Sequence, residues 1–318
     1  MTTNSSHNSE ATNIEAQDAL AFAYQYGFPL YAYGRFVKGQ QSSSTNSFIH
    51  ERDLIKAGWT KVVRPNNDTL YSFIFYDLSQ SDLCLSAPEF DSRFWSFSYY
   101  DMYGNNYASV GSQSDHKPGN YLLRFTNDNF GLQTEGVSGE YNAYINSPTP
   151  YGIFLSRIVL KDQTTDKDKV NKLQDAIKVS SVPLRLGPIA PPFDLGIFDG
   201  VTGSGSSPIS EEEQVLRLTA ALASLNPPEV LHDRGWVASV LEKAGIKNGK
   251  FTQPPNTSLT AAVKDAKLSA LALKSTAGFV RNLGNRWRTN SPMICGDYKS
   301  FVRIWELWEF PWPAGQAT

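Results

Sequence analysis

The chain has 318 residues, 41% of them hydrophobic and 13% aromatic, so it is long and apolar enough to bury a sizeable core. Its 29 lysines and arginines nearly balance its 31 aspartates and glutamates, which argues against nucleic acid or a membrane surface as a partner. No apolar run approaches the ~18 residues that a bilayer-spanning helix needs.

The cysteine and histidine residues indicate the cellular compartment and argue against a metal site. Cys84 and Cys295 are too few for a disulfide framework, and the start of the chain lacks the pattern of a secretory signal, so we expect a cytoplasmic protein. The four histidines have no ligand spacing, and the chain contains neither a phosphate-binding glycine loop nor a dinucleotide fingerprint. We therefore predict no metal site and no cofactor.

The first sixty residues contain one strong helical pattern. Residues 1–15 are polar and rich in Ser, Thr and Asn, which predicts a disordered tail. From Ala16 to Gly34 the apolar residues recur every three or four positions, which predicts an amphipathic helix interrupted near Pro29. We expect residues 16–61, this helix and a connector, to pack with a helical subdomain further along the chain.

Residues 62–190 have the pattern of an antiparallel β-sandwich. Seven short segments rich in aromatic and β-branched residues are separated by turn clusters, and no helical pattern intervenes between them. The predicted strands are 69–76, 83–87, 93–100, 107–110, 121–125, 139–145 and 152–160. A helix is predicted over 165–178, after the last of them.

The rest of the chain is predicted to be mostly helical. A Pro/Gly-rich connector over 191–209 precedes a helical subdomain over 210–290, with helices at 210–225, 230–244 and 259–283 and an N-cap at Ser210. The fold class is therefore α+β: an antiparallel β-sandwich of about seven strands with a flanking all-helical subdomain. Residues 291–318 hold three of the seven tryptophans, so we expect this segment to dock onto the body or to form a homodimer.

A polar cluster directly before the first predicted strand is the main candidate for a functional site. Arg64 offers a rigid fork of donors, and Asn66, Asp68 and Tyr71 follow it within seven positions. Two interpretations stay open: Arg64 and Asp68 form an internal salt bridge that holds the loop, or Arg64 clamps a carboxylate or carbonyl of a substrate.

Further candidates lie on or beside the predicted strands. Asp101 follows an aromatic strand and is either a base with a raised pKa or a turn residue that bonds its own backbone. His50 is either an acid or base near neutral pH or the partner of a buried carbonyl group. The candidate catalytic residues are Arg64, Asp68, Asp101 and His50, and the candidate substrate-binding residues are Asn66, Tyr71, Trp95, Tyr99, Tyr103, Asn105 and Arg157.

Several of these segments resemble one family, the domain of unknown function 1254 (DUF1254). The similar blocks include Phe48-Ile49-His50-Glu51-Arg52, Arg64-Pro65-Asn66-Asn67-Asp68-Thr69-Leu70-Tyr71-Ser72, Asp101-Met102-Tyr103 and Tyr107-Ala108-Ser109-Val110-Gly111, and the resemblance covers residues 18–190. It implies an antiparallel β-sandwich with a small all-helical subdomain, and it supplies no reaction. Members of this family commonly carry a jelly-roll domain after a helical connector, and we expect this chain to be a single-domain member that lacks it.

The leading hypothesis is a cofactor-independent enzyme that binds an apolar or aromatic small molecule and catalyses a non-redox cyclisation, isomerisation or elimination, as in natural-product biosynthesis. Many aromatic residues, a compact polar cluster and the absence of a cofactor motif lead to it. One alternative is a small-molecule-binding or structural β-sandwich module without catalysis. A second alternative is a hydrolase that uses water activated by Asp101.

Overall fold

The computed structural model describes residues 14–42, 44–54, 67–201, 209–228, 231–273, 280–285 and 287–290. The chain divides into two compact units. The first unit comprises the chain up to Arg35, the short segment Tyr103–Asn105 and the chain from Ile197 onward, and the second comprises Phe36–Met102 and Asn106–Gly196. The finer division into six segments that the sequence suggests stays a prediction.

The second unit is built on two five-stranded sheets. Sheet I has the strand order β1-β2-β9-β4-β5, and sheet II has the order β10-β3-β6-β8-β7. The ten strands are β1 (Ile49–His50), β2 (Thr69–Asp77), β3 (Ser81–Ala87), β4 (Trp95–Asp101), β5 (Asn106–Gly111), β6 (Gly119–Phe125), β7 (Gly131–Gln133), β8 (Ala143–Ser147), β9 (Tyr151–Val159) and β10 (Lys178–Pro183). This architecture confirms the predicted α+β class and, apart from one parallel pair in sheet II, the predicted antiparallel pairing.

Sheet II contains one parallel pair of strands. β8 runs parallel to β6, with Tyr121 opposite Ala143 and Leu123 opposite Ile145, whereas the other strand pairs of both sheets are antiparallel. The reason is the short strand β7, which lies between β6 and β8 in the chain but pairs at the edge of the sheet, antiparallel to β8.

The core of this unit lies between the two sheets and is strongly aromatic. Along β4 the residues Trp95, Phe97 and Tyr99 are buried and alternate with half-buried neighbours, as expected for a strand with one face on the core. The Phe97 and Tyr99 rings lie 5.0 and 5.4 Å from the ring of Phe154 on β9. Each such side chain contributes roughly 1.5–3 kcal/mol through burial, so the alternation fixes which face of sheet I points inward.

Strand β2 departs from this alternation because all nine of its residues are buried. Leu70, Ile74 and Tyr76 belong to the core between the sheets, whereas Phe73 and Phe75 point to the opposite face of sheet I. There the Phe36 ring packs edge-on against Phe73 and Phe75, with centroid distances of 5.2 and 5.8 Å. We call this second surface of sheet I its outer face.

The helices have the following bounds: α1 (Ala16–Gly39), α2 (Lys167–Ala176), α3 (Glu211–Leu222), α4 (Leu231–Lys243) and α5 (Leu259–Leu273). Two short hairpins complete the described strands, β11 (Ile246–Lys247) with β12 (Lys250–Phe251) and β13 (Val280–Gly284) with β14 (Trp287–Asn290). Ser210 caps α3 as predicted, since its side chain accepts a hydrogen bond from the Glu213 amide. The third predicted helix of this region is described over Leu259–Leu273, and the strand β13 occupies Val280–Gly284, where the sequence suggested the end of that helix.

Helix α1 continues through Pro29, which corrects the predicted interruption. Proline in a helix interior removes a hydrogen bond and costs about 3 kcal/mol, but the neighbours Phe28, Leu30 and Tyr31 are all buried, and this packing offsets the cost. In the first unit α1 and α3 approach closely at Gly27, where a Cβ atom would lie 1.5 Å from Thr219 Oγ1. None of the described helices is long and apolar enough to cross a membrane.

Candidate functional site

The polar cluster that precedes β2 is described only at its end. Arg64 and Asn66 lie outside the described residues, so their proposed roles stay predictions. Asp68 is exposed one residue before β2, and its backbone carbonyl accepts a hydrogen bond from the Leu160 amide at 2.9 Å. The start of β2 is therefore held against the end of β9.

Tyr71 and Arg157, which the sequence nominated separately, are neighbours on the outer face of sheet I. They are directly opposite each other in the register between β2 and β9. The guanidinium carbon of Arg157 lies over the Tyr71 ring, 5.4 Å from its centroid, and Tyr71 in turn stacks on Phe73 at 6.0 Å. The structure thus places a cation against an aromatic row, the stacked rings of Tyr71 and Phe73, as a cation–π contact requires.

The guanidinium of Arg157 has an unusual hydrogen-bonding state. Its Nε atom is buried, and within the described part of the chain the side chain has no hydrogen-bond or ion-pair partner. A buried cation without an acceptor is costly, and buried polar groups in native proteins are almost always satisfied. An unsatisfied guanidinium therefore marks a position where a ligand or a water molecule supplies the acceptor.

The other buried or half-buried arginines with described side chains all have acceptors. Arg93 is held by Asp91 and Asp166, and Arg52 by Asp175. Arg124 on sheet II also makes a cation–π contact, 4.1 Å from the Tyr144 centroid, but it donates to Asn146 and Gln133 as well. Arg234 donates to a backbone carbonyl. Among these described arginines Arg157 alone lacks an acceptor.

Thr69 adds a second unsatisfied group to the same face. It lies two positions before Tyr71 on β2, is 3% exposed, and its Oγ1 atom has no hydrogen-bond partner among the described residues. On the other side of Arg157 the register places the half-buried Ser96 of β4. We define the outer-face site as Thr69, Tyr71, Phe73, Ser96 and Arg157.

Thr69 and Ser96 were not among the site residues predicted from the sequence. Thr69 belongs to the motif that resembles the family, and period-two alternation along β2 places it on the face of Tyr71, so the signal was present. Ser96 becomes visible only through the pairing of β4 with β9, which joins segments distant in the chain.

His50 lies on the opposite face of sheet I from Arg157. Its register partner is Ser72, and His50 Nδ1 lies 2.8 Å from Ser72 Oγ, which also accepts a hydrogen bond from Gln174 at 3.2 Å. Burial, assisted by the nearby charge of Arg52, lowers the pKa of His50 to about 4. The imidazole is thus neutral at pH 7 and forms part of a link between β1, β2 and α2.

Trp95 and Tyr99 also face away from the outer-face site. Both belong to the core between the sheets, and burial raises the pKa of the Tyr99 hydroxyl well above its usual range. These two side chains stabilise the sandwich and do not line the same surface as Tyr71.

Asp101 is fully buried at the far end of β4, where it pairs with Gly152 of β9. Gly152 is five residues from Arg157 along β9, which is about 17 Å at the usual rise of a strand. Asp101 lies near Tyr76, whose pKa is raised mainly by burial and in part by the charge of Asp101. The structure therefore does not bring Asp101 to the outer-face site.

Tyr103 and Asn105 belong to the first unit, where the Tyr103 ring packs 5.4 Å from Tyr26. Within the described residues no group of three or more His, Cys, Asp or Glu side chains is arranged to hold a metal ion. Of the eleven residues nominated from the sequence, the structure joins Tyr71 and Arg157 and separates both from His50, Trp95, Tyr99 and Asp101.

Comparisons with known proteins bear on the fold. Residues 45–181 match the model of the family described as "Protein of unknown function (DUF1254)". No curated protein matches the chain. The crystal structure of the VPA0106 protein from Vibrio parahaemolyticus is similar with a TM-score of 0.52 and 17% identity, over 83% of this chain and 60% of that chain. This likeness shows a shared fold, and this chain spans 60% of the length of that protein.

A crystal structure of an uncharacterized protein from Burkholderia cenocepacia also matches, with a TM-score of 0.29 and 11% identity. The match covers 71% of this chain and 49% of that chain.

Proposed function

We propose that this chain, which belongs through residues 45–181 to the DUF1254 family, is a cofactor-independent enzyme that binds an apolar or aromatic small molecule at the outer-face site. The reaction is non-redox: a cyclisation, isomerisation or elimination. The observation that supports this proposal is the half-buried guanidinium of Arg157, which lies over Tyr71 and lacks an acceptor in the described part of the chain.

Cyclisations, isomerisations and eliminations next to a carbonyl group all require that negative charge on an oxygen atom be stabilised. Negative charge develops on an oxygen when a neighbouring C–H proton is removed, and a fixed cation in a partly water-excluded site stabilises that charge. In the proposed mechanism Arg157 faces the developing oxyanion, and Thr69 and Ser96 provide hydroxyl donors beside it. Asp68, exposed one residue before Thr69, is the proposed proton acceptor.

A specific observation favours a second candidate, the non-catalytic binding module. Two of the nominated proton-transfer groups, His50 and Asp101, lie respectively on the other face of sheet I and about 17 Å along β9 from Arg157. If Asp68 does not accept the proton either, a site with a cation and an aromatic row binds its ligand without converting it. The hydrolase alternative gains no support, because the Asp101 side chain that was to activate water is fully buried.

Proton exchange separates the enzyme from the module. We would incubate the full chain with acetophenone in D2O and follow loss of the methyl proton signal by NMR. An enzyme that stabilises an enolate exchanges these protons faster than buffer does, and Arg157→Gln slows the exchange by roughly 100-fold, the scale of a lost oxyanion contact. Arg124→Gln, the matched control on sheet II, leaves it unchanged.

Exchange at the buffer rate, together with binding of acetophenone in saturation-transfer NMR, would favour the binding module. Exchange that persists in Arg157→Gln would remove Arg157 from the mechanism.

A further inference from the structure

We infer that the ligand of the outer-face site carries a carboxylate group and that Arg157 holds this group through its unsatisfied N–H donors. This inference rests on the proposed function and names the chemical class of its ligand: an aryl or other apolar carboxylate. Three features of the site lead to it, namely the free donors, the single positive charge and the small neighbour on one side.

The first feature is the geometry of the free donors. The guanidinium carbon of Arg157 lies over the Tyr71 ring, and the cation–π contact uses none of the N–H donors of the guanidinium group as hydrogen bonds to an acceptor atom. Nε is buried and has no acceptor among the described residues. A planar fork of donors fits the two oxygens of a carboxylate, which accepts two parallel hydrogen bonds.

The second feature is the single positive charge of the outer-face site, since the two carboxylates of the sheet I strands, Asp77 and Asp101, lie at the other end of the sheet. Arg157 is the only lysine or arginine within the five strands of sheet I. A half-buried single cation is stabilised most by one opposite charge that is itself hydrogen-bonded. One positive charge therefore suits a monoanion such as a carboxylate better than a phosphate ester, which carries up to two negative charges and usually binds several donors.

The third feature is the difference between the two sides of Arg157. On the β2 side lies the large ring of Tyr71, which stacks on Phe73. On the β4 side lies Ser96, whose side chain is small and half-buried. A carboxylate that approaches from the β4 side can reach the fork without displacing an aromatic ring.

A matched pair of probes tests the inference. Cinnamate and cinnamyl alcohol share the phenyl ring and the double bond, and they differ in that only cinnamate carries a carboxylate. Binding of each to the full chain would be measured by isothermal titration calorimetry for the wild type, Arg157→Gln, Arg157→Lys and the control Arg124→Gln. Thermal melts of each variant verify that it is folded.

We expect cinnamate to bind the wild type at least about tenfold more tightly than cinnamyl alcohol, since a charge-assisted bidentate contact is stronger than a hydrogen bond to a neutral hydroxyl group. Arg157→Gln should abolish this preference, Arg157→Lys should reduce it because the planar fork is lost, and Arg124→Gln should preserve it. Ser96→Leu should weaken cinnamate binding by filling the β4 side.

Equal affinities of the wild type for both probes would overturn the carboxylate inference while leaving the proposed binding of an aromatic molecule intact. A preference for cinnamate that survives in Arg157→Gln would overturn it as well. If neither probe binds the wild type, the binding step of the proposed function falls together with the inference.

Discussion

Arg157 and Tyr71 face each other across the β2–β9 ladder, with the guanidinium carbon 5.4 Å from the centre of the tyrosine ring. The contact stabilises the cation from one side only. Arg124 and Tyr144 form the same kind of contact on sheet II, but Arg124 also donates to Asn146 and Gln133. The two sites therefore differ in hydrogen bonding, which makes Arg124 the natural control for Arg157.

Replacement of Arg157 should cost little stability. Because Arg157→Gln removes a cation without an acceptor in the described part of the chain, we expect the free energy of unfolding to stay within about 1 kcal/mol of the wild type. Arg93→Gln, which breaks a buried cation's contacts with Asp91 and Asp166, should lose about 3 kcal/mol. Urea denaturation followed by circular dichroism measures both, and an equal loss in the two variants would show that Arg157 has a structural partner.

His50 should make stability depend on pH between about 4 and 6.5. Burial lowers its pKa in the folded state to about 4 from the ordinary value of 6.5, so in this range the unfolded chain binds more protons. The contribution of neutral His50 is fully present above pH 6.5 and is lost as the pH falls toward 4. An NMR titration of the His50 ring should give a midpoint near 4, whereas a midpoint near 6.5 would contradict the burial argument.

Titration of Asp82 should make the free energy of unfolding change with pH in the opposite direction, between about pH 4 and pH 6. Burial raises its pKa to about 6, against the opposing effect of Arg124, so the folded state retains a proton that the unfolded chain loses near pH 4. The stabilising contribution is present below about pH 4 and is lost as the pH rises to 6. Asp82→Asn should therefore melt at a higher temperature than the wild type at pH 7, and the two should converge at pH 4. A difference that does not vary with pH would refute this assignment.

Gly27 and Gly39 of helix α1 should respond differently to alanine. A Cβ atom at Gly27 would lie 1.5 Å from Thr219 Oγ1 on α3, whereas one at Gly39 meets no atom within 4 Å. We expect Gly27→Ala to lose about 2–3 kcal/mol through overpacking and Gly39→Ala to be neutral or slightly stabilising. Thermal melts would show this contrast, and tolerance of Gly27→Ala would place α1 and α3 further apart than described.

The sequence predicted most of the sandwich because its strands alternate clearly. In the predicted strand 93–100 the aromatic residues Trp95, Phe97 and Tyr99 occupy alternate positions, and the observed strand β4 covers Trp95–Asp101. Strands β1 and β7 were missed because two or three residues are too few for a periodic signal, and β10 was missed because its residues Lys178–Pro183 form a polar edge strand that ends in proline. Short or polar edge strands of this kind can be recognised only from the strands with which they pair.

The site was less predictable because it depends on register. Tyr71 and Arg157 each stood out in the sequence, but only the β2–β9 pairing makes them neighbours. His50 was nominated with them, yet its pairing with Ser72 puts it on the other face, since neighbouring residues of a strand point to opposite sides. The lack of an acceptor for Arg157 is a property of the folded surroundings that residue types do not reveal.

In the proposed complex the free donors of Arg157 receive the carboxylate of the ligand. The most direct measurement is the NMR signal of the Arg157 Nε–H group in ¹⁵N-labelled protein, assigned by its disappearance in Arg157→Gln, during titration with cinnamate. We predict that this signal shifts and saturates with cinnamate, while the Arg124 Nε–H signal and a titration with cinnamyl alcohol show no comparable change. An Arg157 signal that stays in place while cinnamate binds elsewhere would contradict the claim.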